Sequence, residues 1–294
     1  MNLKDPAVVV FGSLHYDIIV DGPARPKKGE TVTGSSWRPS CGGKGGNQAV
    51  SAAKHGVPSA MIGAVADDQF GAALLGNLGR HNVDCGFVRT IPGIGSGMSV
   101  AIFDSEGDYG AVIVSGSNLE LCNEDVEAAK DLFRSGNILV LQNEVPDAAN
   151  VLAADAMKRA GGTVILNAAP ARKPSAELEK LVDIVVVNAV EAEALSDGVE
   201  VNSLDSALAA ARILARTYPV AVVTAGGEGV AAFEQEGGKD TLIPAIKVKL
   251  ISTHGAGDEF IGVLAAQLLQ GGAINTALAR ANKAAAILVS TPRG

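Results

Sequence analysis

Short runs of apolar residues alternate along this chain with longer stretches in which apolar positions recur every three or four residues. The short runs are rich in β-branched residues, which is typical of strands buried on both faces of a parallel sheet. The longer stretches have the period of helices that bury one face. The pattern predicts strands at residues 7–11, 60–64, 138–141, 164–166, 184–187 and 220–223. It predicts helices at residues 49–55, 68–81, 124–133, 148–160, 204–217, 258–269 and 274–288.

The order of these elements predicts an α/β fold. Strands that alternate with helices form a mostly parallel central sheet covered on both faces, which is a three-layer α/β/α sandwich. Two stretches, about residues 14–41 and 88–115, interrupt the alternation with β-prone segments and no helix between them. We predict that they form a small β-strand lid on the main sheet, within a single domain of residues 1–294.

Composition and charge narrow the classes of function. The chain has 294 residues, of which 47% are hydrophobic and 19% charged, so a large core is expected. Its net charge is −8 without a basic cluster, which argues against nucleic acids and anionic membranes as partners. The first residues show no signal-peptide pattern and no apolar run reaches about 18 residues. We therefore expect no membrane span and a cytoplasmic location.

The stretch at residues 252–260, Ser-Thr-His-Gly-Ala-Gly-Asp-Glu-Phe, carries the strongest chemical signal. It follows a β-prone run at residues 246–251, which we interpret as a strand, and it leads into an apolar helix. Free backbone N–H groups and the helix dipole attract an anion at such a turn. A carboxylate there, Asp258, would repel a phosphate unless it accepted a proton from an attacking hydroxyl. The alternative is that Asp258 only caps the helix.

A second glycine-rich segment, residues 42–48, reads Gly-Gly-Lys-Gly-Gly-Asn-Gln. Such a turn allows a ligand to reach the backbone and allows the flanking segments to hinge. Lys44 and Asn47 add a cation and an amide that can hydrogen-bond hydroxyl groups. The segment does not have the spacing of a Walker motif or of a dinucleotide-binding fingerprint. The alternative is a flexible loop with an exposed lysine.

Polar side chains also follow several predicted strands, where open α/β sheets bind ligands. Asp17 follows the first strand, and Glu144 follows the strand at residues 138–141. Asn188 and Glu191 follow another strand and could form either a capping pair or a Mg²⁺ site. Thr224, followed by two glycines, could likewise belong to a site or to a plain turn.

Taken together, these segments resemble the ribokinase-type sugar kinases of the phosphofructokinase-B carbohydrate kinase family. The resemblance covers nearly the whole chain. Its two signature segments are residues 42–48 and residues 255–258, Gly-Ala-Gly-Asp. Weaker motifs occur between and after them in the expected order, at residues 26–31, 67–71, 167–171, 188–191, 223–226 and 281–285.

The resemblance implies transfer of the γ-phosphoryl group of ATP to a sugar hydroxyl, with Asp258 as the base. The backbone of Gly255, Ala256 and Gly257 would form the anion hole. The residues implied for the sugar are Asp17, Gly43, Lys44, Asn47 and Glu144. Those implied for the nucleotide are Asn188, Thr224, Gly226, Gly229 and Asn282, and Glu191 is implied for Mg²⁺. The family also implies a homodimer that pairs through the β lid.

The sequence departs from the family pattern at several positions near the expected site. Ser252 stands where the family has an Asp that helps to bind a monovalent cation, so activation by K⁺ stays open. His254 and Glu259 also differ, and Glu259 is expected to add negative charge near the phosphates. His15 stands where relatives often have Asn, in the turn that faces the sugar.

The sequence thus predicts an ATP-dependent sugar kinase, with D-ribose converted to ribose 5-phosphate as the leading reaction. Two alternatives remain open at this point. One is a kinase of the same fold for another sugar, a sugar acid or a nucleoside, for which the lid offers Trp37, Phe103 and Tyr109 as stacking residues. The other is a sugar-binding protein with little turnover.

Overall fold

The computed structural model of this chain describes residues 5–104 and 109–292. The strands are β1 (Val8–Phe11), β2 (His15–Asp21), β3 (Ser36–Gly42), β4 (Ser59–Ala66), β5 (Asp84–Ile91), β6 (Met98–Phe103), β7 (Tyr109–Val114), β8 (Ile138–Gln142), β9 (Thr163–Asn167), β10 (Ile184–Asn188), β11 (Val220–Thr224), β12 (Gly229–Glu234) and β13 (Lys239–Pro244). The helices are α1 (Lys44–Lys54), α2 (Gln69–Arg80), α3 (Asn123–Ala128), α4 (Asp147–Arg159), α5 (Ala176–Glu179), α6 (Ala189–Leu195), α7 (Leu204–Leu214), α8 (Ala256–Leu269) and α9 (Ile274–Val289).

A large sheet of nine strands organises the molecule, in the order β13-β12-β11-β10-β9-β8-β1-β4-β5. The strands from β11 to β5 run parallel to one another. The hairpin of β12 and β13 continues one edge in the antiparallel direction. Parallel neighbours need crossover connections, and most of the helices provide them.

Helices cover both faces of this sheet, as the sequence predicts. Alternate residues of β1 point to opposite faces, so that Val8 and Val10 belong to one apolar core and Val9 and Phe11 to the other. The first core contains buried residues of α1, α2, α8 and α9, and the second those of α3, α4, α6 and α7. The prediction of a three-layer α/β/α sandwich with a mostly parallel sheet is therefore confirmed.

A second, smaller sheet contains four strands in the order β3-β2-β6-β7. Its strands come from the two stretches, about residues 14–41 and 88–115, that interrupt the alternation of helices and strands. One part of the prediction is wrong: residues 88–91 belong to β5, which pairs with β4 in the large sheet. The reason is that β5 follows α2 and so continues the strand–helix–strand pattern of the main sheet.

Two further boundaries differ from the sequence-based expectation. Helix α1 begins at Lys44 and not at residue 49, so it includes Gly45 and Gly46, which are poor helix formers that the sequence pattern does not mark as helical. The β-prone run at residues 246–251 is not a strand. It pairs with no strand of the described residues, because its end turns toward α9, where the backbone N–H of Ile251 donates to the Val289 carbonyl oxygen at 2.8 Å. No helix within the described ranges is long and apolar enough to cross a membrane.

Candidate active site

The carboxyl ends of the parallel strands bring polar side chains together at one edge of the large sheet. Ser13 and Glu144 follow β1 and β8, and Asn167 ends β9. Asn188 and Thr224 end β10 and β11 and lie side by side in the register of these strands. The start of α8 reaches the same edge, because it lines one cavity with Asn188 and Thr224. This is the location at which open α/β sheets bind ligands.

Asp258 lies at the centre of this edge, in the first turn of α8, and is only 9% exposed. Its Oδ2 accepts a hydrogen bond from Asn47 Nδ2 at 2.9 Å, and its Oδ1 accepts one from Gln48 Nε2 at 3.0 Å. Burial raises the pKa of Asp258, while the charge of Lys44 and the two amides oppose the increase. Asp258 therefore does not cap its helix, and its carboxylate is directed toward α1.

The first turn of α8 also presents backbone amides to this edge. Gly255 is the N-cap residue, with a φ of 71° that glycine adopts without strain, and no side chain caps the helix. The Ala256 N–H makes only a long contact of 3.3 Å with the Thr253 carbonyl oxygen. Gly257 lines the adjoining cavities. These amides and the helix dipole form an environment suited to an anion.

The glycine-rich segment before and within α1 is a packing contact, and not the flexible turn that the sequence suggests. Gly43 has a φ of 83°, and a Cβ at this position would lie 2.6 Å from the backbone nitrogen of His15. A Cβ on Gly45 would lie 2.7 Å from the nitrogen of Ser13. Distances this short admit only glycine, so α1 begins against the turn that follows β1. Lys44 is consequently part of the first turn of α1.

Glu144 connects this turn to the start of α1. Its Oε2 accepts a short hydrogen bond of 2.5 Å from Ser13 Oγ and a second of 3.0 Å from the backbone nitrogen of Lys44. His15 Nδ1 lies 3.7 Å from the same oxygen. Glu144 is thus held at the N-terminus of α1, where the helix dipole favours a carboxylate.

Asp17 lies in β2 of the small sheet, near Glu144. Its Oδ1 accepts a hydrogen bond of 2.5 Å from Ser99 Oγ, on the neighbouring strand β6. Burial raises the pKa of Asp17, and Glu144 adds to this effect. The bond from Ser99 and the charges of His15 and His254 act in the opposite direction. Asp17 and Glu144 form a half-buried acidic pair between the two sheets.

Asn188 and Glu191 form the capping pair that was one of their two predicted interpretations. Glu191 accepts hydrogen bonds from the backbone nitrogen of Asn188 at 2.7 Å and from its Nδ2 at 2.9 Å. In return, Asn188 Oδ1 accepts one from the Glu191 N–H at 3.0 Å. Glu191 also lines a polar cavity with Lys44 and Asp258, and burial raises its pKa. Capping and cavity lining are compatible, because each carboxylate oxygen retains a free lone pair.

A larger cavity of about 620 Å³ adjoins the polar one, since both include Thr224, Gly257 and Phe260. It is lined by Thr224, Gly226, Gly229 and Asn282 together with apolar residues of the segment after β13 and of α9. The size is within the range of roughly 300–1,000 Å³ that small-molecule sites have. The run at residues 246–251, which was expected to be a strand, forms part of the wall of this cavity.

The structure corrects the expected position of one predicted residue and adds three residues that were not predicted. Glu259 does not line the polar cavity: its Oε1 lies 2.9 Å from His55 Nε2, at the far end of α1. Sequence reasoning missed Ser13 and Ser99, which hold the two carboxylates of the acidic pair. The position of Ser13 at the end of β1 was a usable signal, whereas nothing in the sequence indicates Ser99. Gln48, the last residue of the signature segment 42–48, donates to Asp258, a contact that the sequence pattern does not predict.

Known proteins share this fold along almost the whole chain. The structure of Arabidopsis thaliana ribokinase complexed with ribose and ATP superimposes with a TM-score of 0.90 at 29% identity, covering 99% of this chain and 95% of that one. The ribokinase of Haemophilus influenzae is 33% identical over 96% of this chain and 92% of its own length. The deoxyribokinase of Salmonella typhi is 32% identical, with the same shares of the two chains.

The fold and the site thus define a kinase of the ribokinase fold. The chain belongs to the pfkB family of carbohydrate kinases, whose sequence model matches residues 5–294. It is a phosphotransferase that uses an alcohol group as acceptor. The resemblance identified from the sequence motifs is therefore confirmed.

Proposed function

We propose that this protein transfers the γ-phosphoryl group of ATP to D-ribose and forms ribose 5-phosphate. One observation supports this reaction most directly: the buried carboxylate of Asp258 lies between a polar cluster and a large cavity. By polar cluster we mean the acidic pair, Asp17 and Glu144, together with Lys44 and Asn47 at the start of α1. Such a cluster suits a molecule rich in hydroxyl groups. The cavity has the size for a nucleotide. A group that accepts a proton between two such sites suits phosphoryl transfer between them.

In the proposed reaction, Asp258 accepts the proton of the sugar hydroxyl. The hydroxyl oxygen then bonds to the γ-phosphorus of ATP, the bond between that phosphorus and the bridging oxygen breaks, and ADP leaves with the bonding electron pair. The amides of Gly255, Ala256 and Gly257 stabilise the negative charge on the transferred group. Because these N–H groups belong to the first turn of α8, the helix sets their direction and they need little reorientation during the reaction.

On the sugar side, Asp17, Lys44, Asn47 and Glu144 bind hydroxyl groups, and Gly43 is assigned to the sugar through its backbone. The two carboxylates can only accept hydrogen bonds when ionised, whereas Lys44 and the Nδ2 of Asn47 donate them. A sugar hydroxyl can do both, and therefore fits between these groups. The hydrogen bonds of the acidic pair to Ser13 and Ser99 keep the acceptors in place.

On the nucleotide side, the residues that we assign are Asn188, Thr224, Gly226, Gly229 and Asn282. Four of them line the larger cavity, and Asn188 lines the polar cavity next to it. Apolar residues such as Val248 and Val289 provide a wall against which a base could pack. The polar cavity, with Lys44 and the start of α8, would then receive the phosphates.

Glu191 is the residue that we assign to Mg²⁺, through water. Its carboxylate reaches the polar cavity and keeps free lone pairs beside its hydrogen bonds to Asn188, so the donor set fits a hard cation. When bound, Mg²⁺ would neutralise phosphate charge. Within the described ranges, no group of three or more His, Cys, Asp or Glu side chains could hold a metal by itself. Activation by K⁺ stays open, because Ser252 offers a hydroxyl in place of a carboxylate.

A panel of acceptors tests the ribose assignment. Release of ADP should be measured with ATP and Mg²⁺ against ribose, deoxyribose, other pentoses and ketoses, a sugar acid and several nucleosides. We expect kcat/KM to be highest for ribose by at least about tenfold. Equal or higher values for another acceptor would refute the ribose assignment, and no turnover with any acceptor would refute the kinase assignment. In the latter case, a sugar that still raises Tm would indicate a binding protein.

A second candidate acceptor is a sugar other than ribose, deoxyribose in particular. His15 is buried and lies 3.7 Å from Glu144, so it occupies space at the polar cluster. The deoxyribokinase of Salmonella typhi is also nearly as similar to this chain as the ribokinases are. A His15→Asn variant separates the two readings, since it should change the ratio of kcat/KM for ribose and deoxyribose if His15 contacts the sugar.

We further propose a homodimer that pairs through the small sheet. Its edge strands β3 and β7 expose Trp37 and Val112, which are 67% and 68% accessible. Residues 112–114 of β7 are all exposed and apolar, and contiguous exposed apolar surface marks interaction sites. Sedimentation of the wild type and of Trp37→Glu tests the proposal: the wild type should sediment as a dimer and the variant as a monomer. A monomeric wild type would refute it.

The cytoplasmic location stays a prediction from the sequence.

A further inference from the structure

Two buried glutamines extend the hydrogen bonding of Asp258 into the core. Gln48, in α1, donates from Nε2 to Asp258 Oδ1 at 3.0 Å. Gln142, at the end of β8, donates from Nε2 to Gln48 Oε1 at 2.8 Å. Neither side chain has any exposed surface, and neither lines the two cavities of the site. They form a continuous chain of amides behind the carboxylate.

The direction of this chain is fixed at both ends. An ionised carboxylate only accepts hydrogen bonds, so Gln48 must turn its nitrogen toward Asp258 and its carbonyl toward Gln142. Gln142 must then present its own nitrogen. At the far end, Gln142 Oε1 accepts no hydrogen bond from the described residues. This oxygen packs against Gly12, where a Cβ would lie only 1.8 Å from it, so the Gln142 side chain occupies the space that a side chain at residue 12 would need.

Gln48 has no exposed surface, and both polar groups of its side chain are hydrogen-bonded. What the chain achieves is a fixed donor aimed at one oxygen of Asp258. The other oxygen, Oδ2, is bonded to Asn47, which we assign to the sugar. Because Gln48 is fully buried and Asn47 is not, Oδ2 is the oxygen on the side that a substrate can reach, and it retains a second lone pair for the proton.

We propose that Gln48 is a positioning residue for phosphoryl transfer: it orients Asp258 so that Oδ2 takes the proton, and it favours the ionised carboxylate. Gln142 holds Gln48 in the required direction. This inference rests on the proposed function, in which Asp258 removes a proton from the sugar hydroxyl. In that step the hydroxyl proton moves to Oδ2, and Oδ1 remains bonded to Gln48.

The charges that surround Asp258 set the direction of the expected effect. Lys44 faces it from α1 and favours the ionised form, whereas Glu144, after β8, disfavours it. Burial also disfavours the charged form, and the amides of Asn47 and Gln48 compensate in part. Removal of the Gln48 donor therefore raises the pKa of Asp258, and activity at acidic pH should be lost at a higher pH than in the wild type.

The test compares the dependence of kcat on pH, at saturating ATP and with the best acceptor of the panel, for the wild type and three variants. In Gln48→Met, kcat should fall roughly tenfold at neutral pH, and the acid-side midpoint should rise by about one pH unit. Gln142→Met should shift this midpoint in the same direction by less, because Gln48 can then turn. Ser51→Ala is the matched control: it removes a bond of 3.2 Å from α1 to the Glu259 carbonyl and leaves Asp258 untouched.

An unchanged acid-side midpoint in folded Gln48→Met would overturn the inference, whatever happens to its Tm. If that variant does not fold, Gln142→Met decides by the same criterion. A midpoint that moves equally in Ser51→Ala would also overturn it, since the effect would then come from loosened packing between α1 and α8. Substantial turnover in Asp258→Asn would instead remove the proposed base. An inactive Asp258→Asn together with an unmoved midpoint would refute only the role of Gln48.

Discussion

The substitution Asp258→Asn changes the chemistry of one atom at the centre of the site. It replaces a carboxylate oxygen with an NH₂ group of similar size, and so removes the capacity to accept a proton. The structure adds a second effect. Both oxygens of Asp258 accept amide N–H groups, from Asn47 and Gln48, so the new NH₂ group must face one of these donors. Gln48 cannot turn because Gln142 holds it, so Asn47 has to move.

The expected loss of activity follows from the proposed role of Asp258 as the base that accepts the hydroxyl proton. A positioned proton acceptor contributes about 10²–10⁴-fold to a rate, which corresponds to roughly 2.7–5.5 kcal/mol of transition-state stabilisation. We therefore expect kcat to fall at least about a hundredfold. The KM for the sugar should also rise, because Asn47 is displaced. Affinity for ATP should stay nearly unchanged, since Asp258 is not among the residues that line the larger cavity.

The assay is steady-state release of ADP, with calorimetric titration of ATP to measure binding. Glu259→Gln is the matched control, because the neighbouring residue also carries a carboxylate in the first turn of α8 but contacts His55. We expect kcat of this control to change less than about threefold. If Asp258→Asn retained more than about a tenth of wild-type turnover, or if Glu259→Gln lost as much, the assignment of the base would be refuted.

Three further predictions concern the acidic pair, the glycine segment and the packing of β5. Because burial raises the pKa of Asp17 above its ordinary value of 3.8, its contribution to the free energy of unfolding falls as pH rises from there. Asp17→Asn should therefore raise Tm at pH 7, by less at pH 4, while the KM for the sugar rises at least about tenfold. Gly43→Ala should lower the free energy of unfolding in urea by about 2 kcal/mol or more, and by clearly more than Gly56→Ala, which has a similar φ of 82° but open space around it. Arg89→Met should cost about 2–3 kcal/mol in the same measurement, because Asp125, 2% exposed, loses the partner that now lies 2.7 Å away. Equal stability of the two glycine variants, or an unchanged Arg89→Met, would contradict the packing described for these residues.

The pattern of apolar residues predicted most of the large sheet, because strands that are buried on both faces must be apolar at every position. Val8–Phe11 is an example, and so are residues 138–141 of β8, which end at the polar Gln142. The pattern did not predict β13, whose residues alternate in exposure at the sheet edge. It also misassigned residues 246–251, in which apolar and polar residues alternate although all of them are exposed and pair with no strand. Local sequence did not distinguish these two segments, because strand pairing depends on neighbours that are distant in the chain.

Motif spacing alone pointed to Asp258, Glu144, Asp17 and Lys44, since a glycine-rich turn before a helix and a polar residue after a buried strand have local causes. Motif spacing did not predict contacts between distant segments of the chain. The bonds from Ser99 to Asp17 and from Gln142 to Gln48 join residues 82 and 94 positions apart. The same holds for the direction of Glu259, which adjoins Asp258 in sequence and yet contacts α1.

By itself, then, the sequence determined the class of fold, the family and the segments that meet at the site, because burial, helix starts and turns are encoded over a few neighbouring residues. Only the tertiary structure decided which way each side chain points and which charges it meets. The physical reason is that hydrogen bonds and burial depend on the packing of elements from distant parts of the chain, such as α1 against α8.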